Sequence, residues 1–260
     1  QSSPTADVLN RPWETPKDFD WNSVYGLYML GKEDIRQRHY PEAEEKLKAC
    51  LNKDPNYAPA LVELAGLQYR NLLYSDALVT VKKALSIDTY DPSANFNYGL
   101  INVKLGNTTD AKDGFDIAAM SSAYRTGACT ELSKIYFNQK DHAKAIEYAE
   151  KSLVTNQNNL EAYQLLAVIY RLQNNEVKAL EVLNKMMAID PLNHFAGFEK
   201  YLWHLSAATQ NDFTSLIRNE MPQETYLELG VWYYDLNRKD EALKVFNMAP
   251  QNAEVIYWKA

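Results

Sequence analysis

The chain has 260 residues, 46% of them hydrophobic, which is enough apolar surface for a sizeable core and excludes a disordered chain. A net charge of −7 gives no basic footprint for nucleic acid, two cysteines cannot build a disulfide framework, and no run of about 18 apolar residues is present to span a bilayer. Glycine (9 residues) and proline (10 residues) are scarce, which disfavours an all-β fold.

Residues 1–22 are predicted to form an extended arm. Pro4, Pro12 and Pro16 prevent a helix there, and two tryptophans and a phenylalanine favour packing of the arm against the rest of the chain. Residues 1–9 lack the basic and apolar segments of a signal peptide. The sequence therefore leaves the compartment unknown: cytoplasmic, or periplasmic if the chain is a processed fragment.

Residues 23–260 carry an internal repeat. Alanines recur at intervals of 34 residues, and apolar or small residues follow each alanine at offsets +4 and +7, on the same helical face. A second apolar position lies 13 residues before each alanine and is followed by a small residue. Each unit therefore predicts a first helix, a short turn and a second helix. The recurring alanines are Ala43, Ala77, Ala111, Ala145 and Ala179.

The small residues on the two helices have a common physical cause. Two antiparallel helices that approach closely need a site without bulky side chains, and a large residue there would cost about 1–3 kcal/mol. We expect each alanine to face the small residue of the first helix. Those small residues are Gly31, Ala65, Gly99, Ser133 and Ala167.

Further residues predict the turn between the two helices and the end of the second helix. Gly106, Asn174 and Asn237 are predicted to adopt left-handed conformations in the turns. Proline cannot continue a helix, so second helices are predicted to end near Asp54-Pro55, Asp91-Pro92 and Asp190-Pro191.

This pattern resembles the tetratricopeptide repeat family, whose unit is 34 residues long. The resemblance implies an all-α fold, a right-handed superhelical solenoid of about seven helix-turn-helix repeats. The segment 194–222 is a degenerate unit with an aromatic first helix from Phe195 to Leu205 and a short second helix around Phe213 to Arg218. The predicted repeats are 24–57, 58–91, 92–125, 126–159, 160–193, 194–222 and 223–254, with the start of a further helix at 255–260.

A looser resemblance concerns the segments 10–21, 87–92 and 255–258. They are similar to the repeat half of large bacterial proteins that carry a β-rich domain of unknown function upstream. This resemblance predicts that the chain is a fragment and that an upstream domain of the same chain is one candidate partner.

In such a solenoid the first helices line the concave side, which predicts a peptide groove. At the concave positions of units one to five, six residues are basic and three are acidic, whereas the last two units give four acidic residues. We therefore expect an acidic peptide along the first five units; the alternative is that the aromatics pack between helices and the charges are a solvated surface. The predicted groove residues are Tyr25, Tyr28, Lys32, Val62, Tyr69, Arg70, Phe96, Asn97, Leu100, Lys104, Lys134, Phe137, Gln164 and Arg171.

No catalytic motif, metal-binding pattern or cofactor signature is present, so the sequence predicts a protein that is not an enzyme. Cys50 and Cys129 occupy helix-packing positions and are expected to be buried thiols. The leading prediction is a scaffold that binds a protein or peptide. The alternative is a carbohydrate-linked helical module of a larger bacterial protein, for glycan capture or beside a glycosidase. The apolar end at 255–258 lacks a polar cap, which predicts either further native sequence or self-association through this end.

Overall fold

The described residues of a computed structural model, 16, 18–217 and 220–260, form fifteen α-helices and no strand, which confirms the all-α fold class. Most of the predicted arm, residues 1–15 and 17, lies outside the described residues. The helices are α1 (Val24–Arg36), α2 (Tyr40–Lys53), α3 (Ala58–Arg70), α4 (Tyr74–Ile87), α5 (Pro92–Leu105), α6 (Thr108–Ala118), α7 (Ser122–Asn138), α8 (His142–Thr155), α9 (Leu160–Leu172), α10 (Glu176–Ile189), α11 (His194–Trp203), α12 (Ala207–Ser215), α13 (Pro222–Asp235), α14 (Lys239–Met248) and α15 (Ala253–Lys259).

The helices divide into two compact units. The first ends at Thr89 and contains the hairpins α1/α2 and α3/α4. Its core includes Leu27, Leu47 and Leu64. The second begins at Tyr90 and contains the hairpins from α5/α6 to α13/α14, followed by α15.

In the hairpins α1/α2 and α7/α8 the helices meet at the small residues, as the repeat predicts. All five recurring alanines are fully buried. A Cβ atom added to Gly31 would lie 3.3 Å from the carbonyl oxygen of Ala43, and the Ser133 hydroxyl donates to the carbonyl of Ala145 at 2.7 Å. The first helix therefore touches the backbone of the second at this level.

Small and large residues compensate each other across this contact. Where the residue four positions after the alanine is a phenylalanine, the facing residue of the first helix is glycine. A Cβ atom at Gly99 would lie 2.6 Å from the ring of Phe115, and one at Gly230 would overlap the ring of Phe246. The buried rings leave no space for a methyl group, so these glycines are required by packing rather than by backbone conformation.

The turns inside the hairpins are left-handed at a fixed position. Gly106, Asn174 and Asn237 have positive φ values of 78°, 54° and 56°, as expected. Non-glycine residues that the sequence analysis did not single out also adopt this conformation: Arg38, Leu72 and Lys140. With Gly106 and Asn174 they follow the 34-residue interval, so the turn geometry is repeated even where the residue type does not favour it.

Two predicted helix ends are wrong. Asp91-Pro92 does not end a second helix, because α4 ends at Ile87 and the Asp91 side chain instead accepts from the backbone N–H of Ala94 at the start of α5. The short helix of the degenerate unit lies at Ala207–Ser215 rather than around Phe213 to Arg218, because a capping box between Ser206 and Thr209 starts it earlier. Arg218 itself lies outside the described residues.

Candidate functional site

The fourteen predicted groove residues all lie on the first helices of their hairpins, α1, α3, α5, α7 and α9. This placement follows from the repeat, since one face of each first helix is not used for packing against its own second helix. Their surroundings differ from helix to helix.

In the first repeat, helix α1 carries exposed aromatic and charged side chains. Tyr25 is 53% exposed, and the ring of Tyr28 packs edge-on against Tyr57 with centroids 5.5 Å apart. The Lys32 ammonium lies 5.7 Å from the Tyr28 ring centre and 3.9 Å from a carboxylate oxygen of Glu63 on α3. The structure therefore brings Tyr28 and Lys32 together beside an acidic residue.

The predicted groove residues of α3 pack against other residues of the first compact unit. Val62 is buried, and Tyr69 packs against Tyr74 with ring centroids 5.5 Å apart. The Arg70 guanidinium lies 3.9 Å from the centre of the Tyr40 ring at the start of α2. Tyr69 and Arg70 thus contact the beginnings of second helices, although Arg70 remains exposed.

The predicted residues of α5 and α7 show the same range of burial. Phe96 packs against Phe115 and Tyr124, with centroids 5.6 and 5.5 Å away, and Leu100 is partly buried against the same core. Asn97 is half-buried and Lys104 is exposed. Phe137 is buried and stacks on His142. Lys104 is therefore an exposed cation, whereas the aromatic and aliphatic residues predicted on α5 and α7 are packed.

Lys134 is held by two carboxylates of its own chain. Its ammonium lies 2.8 Å from Glu131 and 2.5 Å from Glu161. Burial opposes the charge of Lys134, but the two carboxylates outweigh burial and raise its pKa above the usual value. The positive charge counted for this position is therefore balanced within the protein.

Arg171 belongs to a buried ion network. Its guanidinium donates to Glu199 at 2.7 and 3.2 Å and to Glu241 at 3.0 Å. The Tyr233 hydroxyl also donates to Glu199, at 2.6 Å, and Arg238 donates to Glu241. The Glu199 side chain is fully buried and that of Arg171 is 15% exposed. The network joins α9, α11, α13 and α14. Arg171 therefore connects the degenerate repeat, residues 194–222, to the repeats before and after it.

Burial and neighbouring charge act in the same direction on Tyr233 and in opposite directions on Arg171. Burial raises the pKa of Tyr233 well above its usual value, and the neighbouring Glu199 carboxylate adds to the effect. Burial works against the charge of Arg171, but Glu199 outweighs it and raises the arginine pKa. At neutral pH the arginine stays charged and the tyrosine stays a hydrogen-bond donor.

The second compact unit contains a pocket that the sequence did not predict. Its volume is about 310 Å³, and it is formed by the first helices α9, α11 and α13 together with the residues at the end of α10. Gln164 is the predicted groove residue that lines it. We call it the α9–α11–α13 pocket. Its lining residues are Leu160, Gln164, Asp190, Asn193, His194, Phe195, Thr225, Glu228, Leu229 and Trp232.

Reactive groups are few in the part of the chain that the structure describes. Burial raises the pKa of both cysteine thiols, Cys50 and Cys129, so both are protonated and weakly nucleophilic at neutral pH. No group of three or more His, Cys, Asp or Glu side chains converges as a metal site among the described residues. Nor does any helix within the described ranges have the length and apolar character needed to cross a membrane.

Comparison with known proteins identifies the repeat. Two family models, each described as tetratricopeptide repeat, match residues 28–92 and 126–159. Residues 28–92 and 126–159 are therefore tetratricopeptide repeats, and the solved structures with a similar fold support a tetratricopeptide repeat protein.

One curated relative and two solved structures illustrate what the chain is similar to. Anaphase-promoting complex subunit 3 of Schizosaccharomyces pombe is 23% identical over 155 residues, which cover 60% of this chain and 23% of that protein. PilF of Pseudomonas aeruginosa superposes with a TM-score of 0.67 at 20% identity, covering 84% of this chain and 95% of the other. YrrB, a TPR protein described as having an unusual peptide-binding site, gives 0.56 at 19% identity, covering 69% and 92%. The chain spans less than a quarter of the length of the curated relatives it matches.

Proposed function

We propose that this protein is a non-enzymatic scaffold that binds a peptide, or an extended segment of a partner domain, on the surface of its first helices. The α9–α11–α13 pocket carries the proposal. Four aliphatic or aromatic side chains and six polar ones line it, so it offers apolar contact and hydrogen-bonding groups together. Three different first helices contribute to it, so a segment lying across them would contact the pocket and its surroundings together.

The matched tetratricopeptide repeats support this function. Peptides bind helical surfaces through aromatic and long side chains that fill pockets. YrrB is described as having a peptide-binding site, which makes peptide binding a reasonable expectation for this chain as well. Both cysteines are buried with raised pKa values, so neither thiol is a good nucleophile at neutral pH.

The predicted preference for an acidic partner depends on the cations that remain available. Lys32, Lys134 and Arg171 lie beside carboxylates of their own chain, so an acidic partner would depend on Arg70 in the first compact unit or on Lys104 in the second. We propose that each of these two exposed side chains, taken by itself, binds an acidic residue of a partner. Charge reversal of either one, by Arg70→Glu or Lys104→Glu, should weaken binding of an acidic peptide more than Lys134→Glu weakens it. An upstream domain of the same chain is an alternative occupant.

Peptide selection followed by crosslinking tests the scaffold function. A random peptide library is selected on the protein, and each enriched peptide is then bound to two variants that carry a photo-crosslinker. One crosslinker replaces Gln164 on α9, and the matched control replaces Val177 on α10, a second helix, where the side chain is 78% exposed. We expect crosslinks at Gln164 and none at Val177.

Two results would contradict the proposal. One is the lack of any enriched peptide, and the other is crosslinking at Val177 in place of Gln164. Capture on a glycan array without peptide binding would favour the carbohydrate-linked alternative.

A further inference from the structure

We propose that the α9–α11–α13 pocket binds the cationic head of a lysine or arginine side chain supplied by the partner. The inference rests on the proposed function and adds the chemistry of one residue of the bound segment. It differs from the acidic partner that the charge count of the whole groove predicts, because it concerns the local charge of one pocket.

Aromatic rings form part of the pocket wall. Phe195 and Trp232 both line it, and their rings meet edge to face with centroids 4.8 Å apart. Aromatic rings, and tryptophan most of all, attract ammonium and guanidinium groups through the negative charge of their faces. The same wall suits the methylene stem of a long cationic side chain, and Leu160 and Leu229 extend the apolar surface around it.

The charged residues of the pocket are both acidic. Asp190 and Glu228 line it, and no lysine or arginine of the described part of the chain does so. Asp190 accepts hydrogen bonds from the Leu192 N–H at 3.1 Å and the Asn193 amide at 3.3 Å, both neutral donors. Glu228 is exposed and has no hydrogen bond or ion pair with any residue in the described ranges. The negative charge of both carboxylates is thus left without a cation of this chain among those residues.

Four other carboxylates, on α7, α9, α11 and α14, have a cationic partner within the chain. Glu131 and Glu161 share Lys134, and Glu199 and Glu241 share Arg171, each at 3.2 Å or less. The remaining ionisable group of the pocket, His194, donates through Nε2 to the carbonyl of Leu216 at 2.9 Å. Among the described residues the pocket therefore has no lysine or arginine of its own, and charge complementarity favours a cation from outside.

The size of the pocket fits one long side chain. Its volume of about 310 Å³ lies at the lower limit of ligand pockets, which span about 300–1,000 Å³. Gln164 and Thr225 place neutral polar groups in the lining, where they are able to bind the peptide backbone of the same segment.

Titration with single blocked amino acids tests the inference. The probes are the N-acetyl methylamides of lysine, arginine, norleucine and glutamate, and the readout is the indole N–H resonance of Trp232, identified by its loss in Trp232→Phe. We expect the lysine and arginine probes to shift this resonance in a saturable way. The norleucine probe, which has a similar apolar stem without the charge, should bind about fivefold more weakly or worse.

Glu228→Gln supplies the decisive variant, because Glu228 is exposed and its replacement leaves the fold intact. It should weaken the lysine probe about threefold or more, whereas the control Glu224→Gln, on the same helix and outside the pocket, should leave it unchanged. Equal binding of norleucine and lysine, preference for glutamate, or no response of Trp232 to any probe would overturn the inference. If selected peptides still crosslink at Gln164 in that case, the proposed function stands and the cationic preference alone falls.

Discussion

Replacing Arg171 should destabilise the second compact unit more than replacing any other single charged residue of that unit. Arg171→Met leaves Glu199 fully buried with the Tyr233 hydroxyl as its remaining partner in the network, whereas Glu241 keeps Arg238. Removing one partner of a buried ion pair costs about 3–5 kcal/mol, because a charge is left in the interior without compensation. We therefore expect Arg171→Met to lose about 3–5 kcal/mol of unfolding free energy.

The double variant Arg171→Met/Glu199→Met isolates the cause of that loss. It removes both charges and keeps apolar volume, so it should recover most of the stability and end within about 1–2 kcal/mol of the parent. Urea unfolding followed by circular dichroism at helical wavelengths measures both variants. A loss below about 1 kcal/mol for the single variant, the value typical of a surface ion pair, would refute the burial of the network.

Three further predictions concern packing, pH and association. Gly99→Ala should cost about 1–3 kcal/mol in thermal unfolding, because its methyl group would lie 2.6 Å from the buried ring of Phe115, whereas Gly127→Ala, with its nearest contact at 3.2 Å, should be neutral or stabilising. Burial works against the Glu241 carboxylate, but hydrogen bonds from arginines outweigh it and hold its pKa below the ordinary 4.5, so Glu241→Gln should destabilise the protein at neutral pH and have less effect as the pH falls through the lowered pKa. Tyr257 on α15 is 75% exposed, and Tyr257→Ser should reduce the predicted self-association in light scattering over a concentration series.

Each of these predictions has a contrary result. Equal stability of the Gly99 and Gly127 variants would show that the Phe115 ring is free to move. A loss for Glu241→Gln that is the same at acid and neutral pH would show that the carboxylate charge contributes nothing to stability. A strict monomer at all concentrations, with and without Tyr257, would remove the self-association prediction.

The sequence predicted the hairpins because the signal is local and repeated. The 34-residue interval identified the small residues that meet between helices, and Ser133 and Ala145 lie in direct contact as that spacing requires. The turn at Leu72 escaped prediction, because leucine has no preference for the left-handed conformation that the repeat imposes there.

The ion network and the pocket escaped prediction for a different reason. Arg171 meets carboxylates 28 and 70 residues further along the chain, and the shortened unit between them changes which residues come together. A charge count that assigns each residue to a repeat position cannot detect such pairs. The pocket includes His194 and Phe195 at the start of the degenerate unit, so the loss of the signature alanine was the available signal.

A comparison of two arginine substitutions tests the account most directly. Gln164→Arg places a cation in the α9–α11–α13 pocket, and Val177→Arg places the same side chain on the exposed surface of a second helix in the same hairpin. Affinity for a selected peptide is measured by fluorescence anisotropy for both variants. If the first helices form the binding surface, Gln164→Arg lowers the affinity about tenfold or more and Val177→Arg leaves it unchanged. Equal affinities of the two variants, or a larger loss for Val177→Arg, would contradict a binding surface on the first helices.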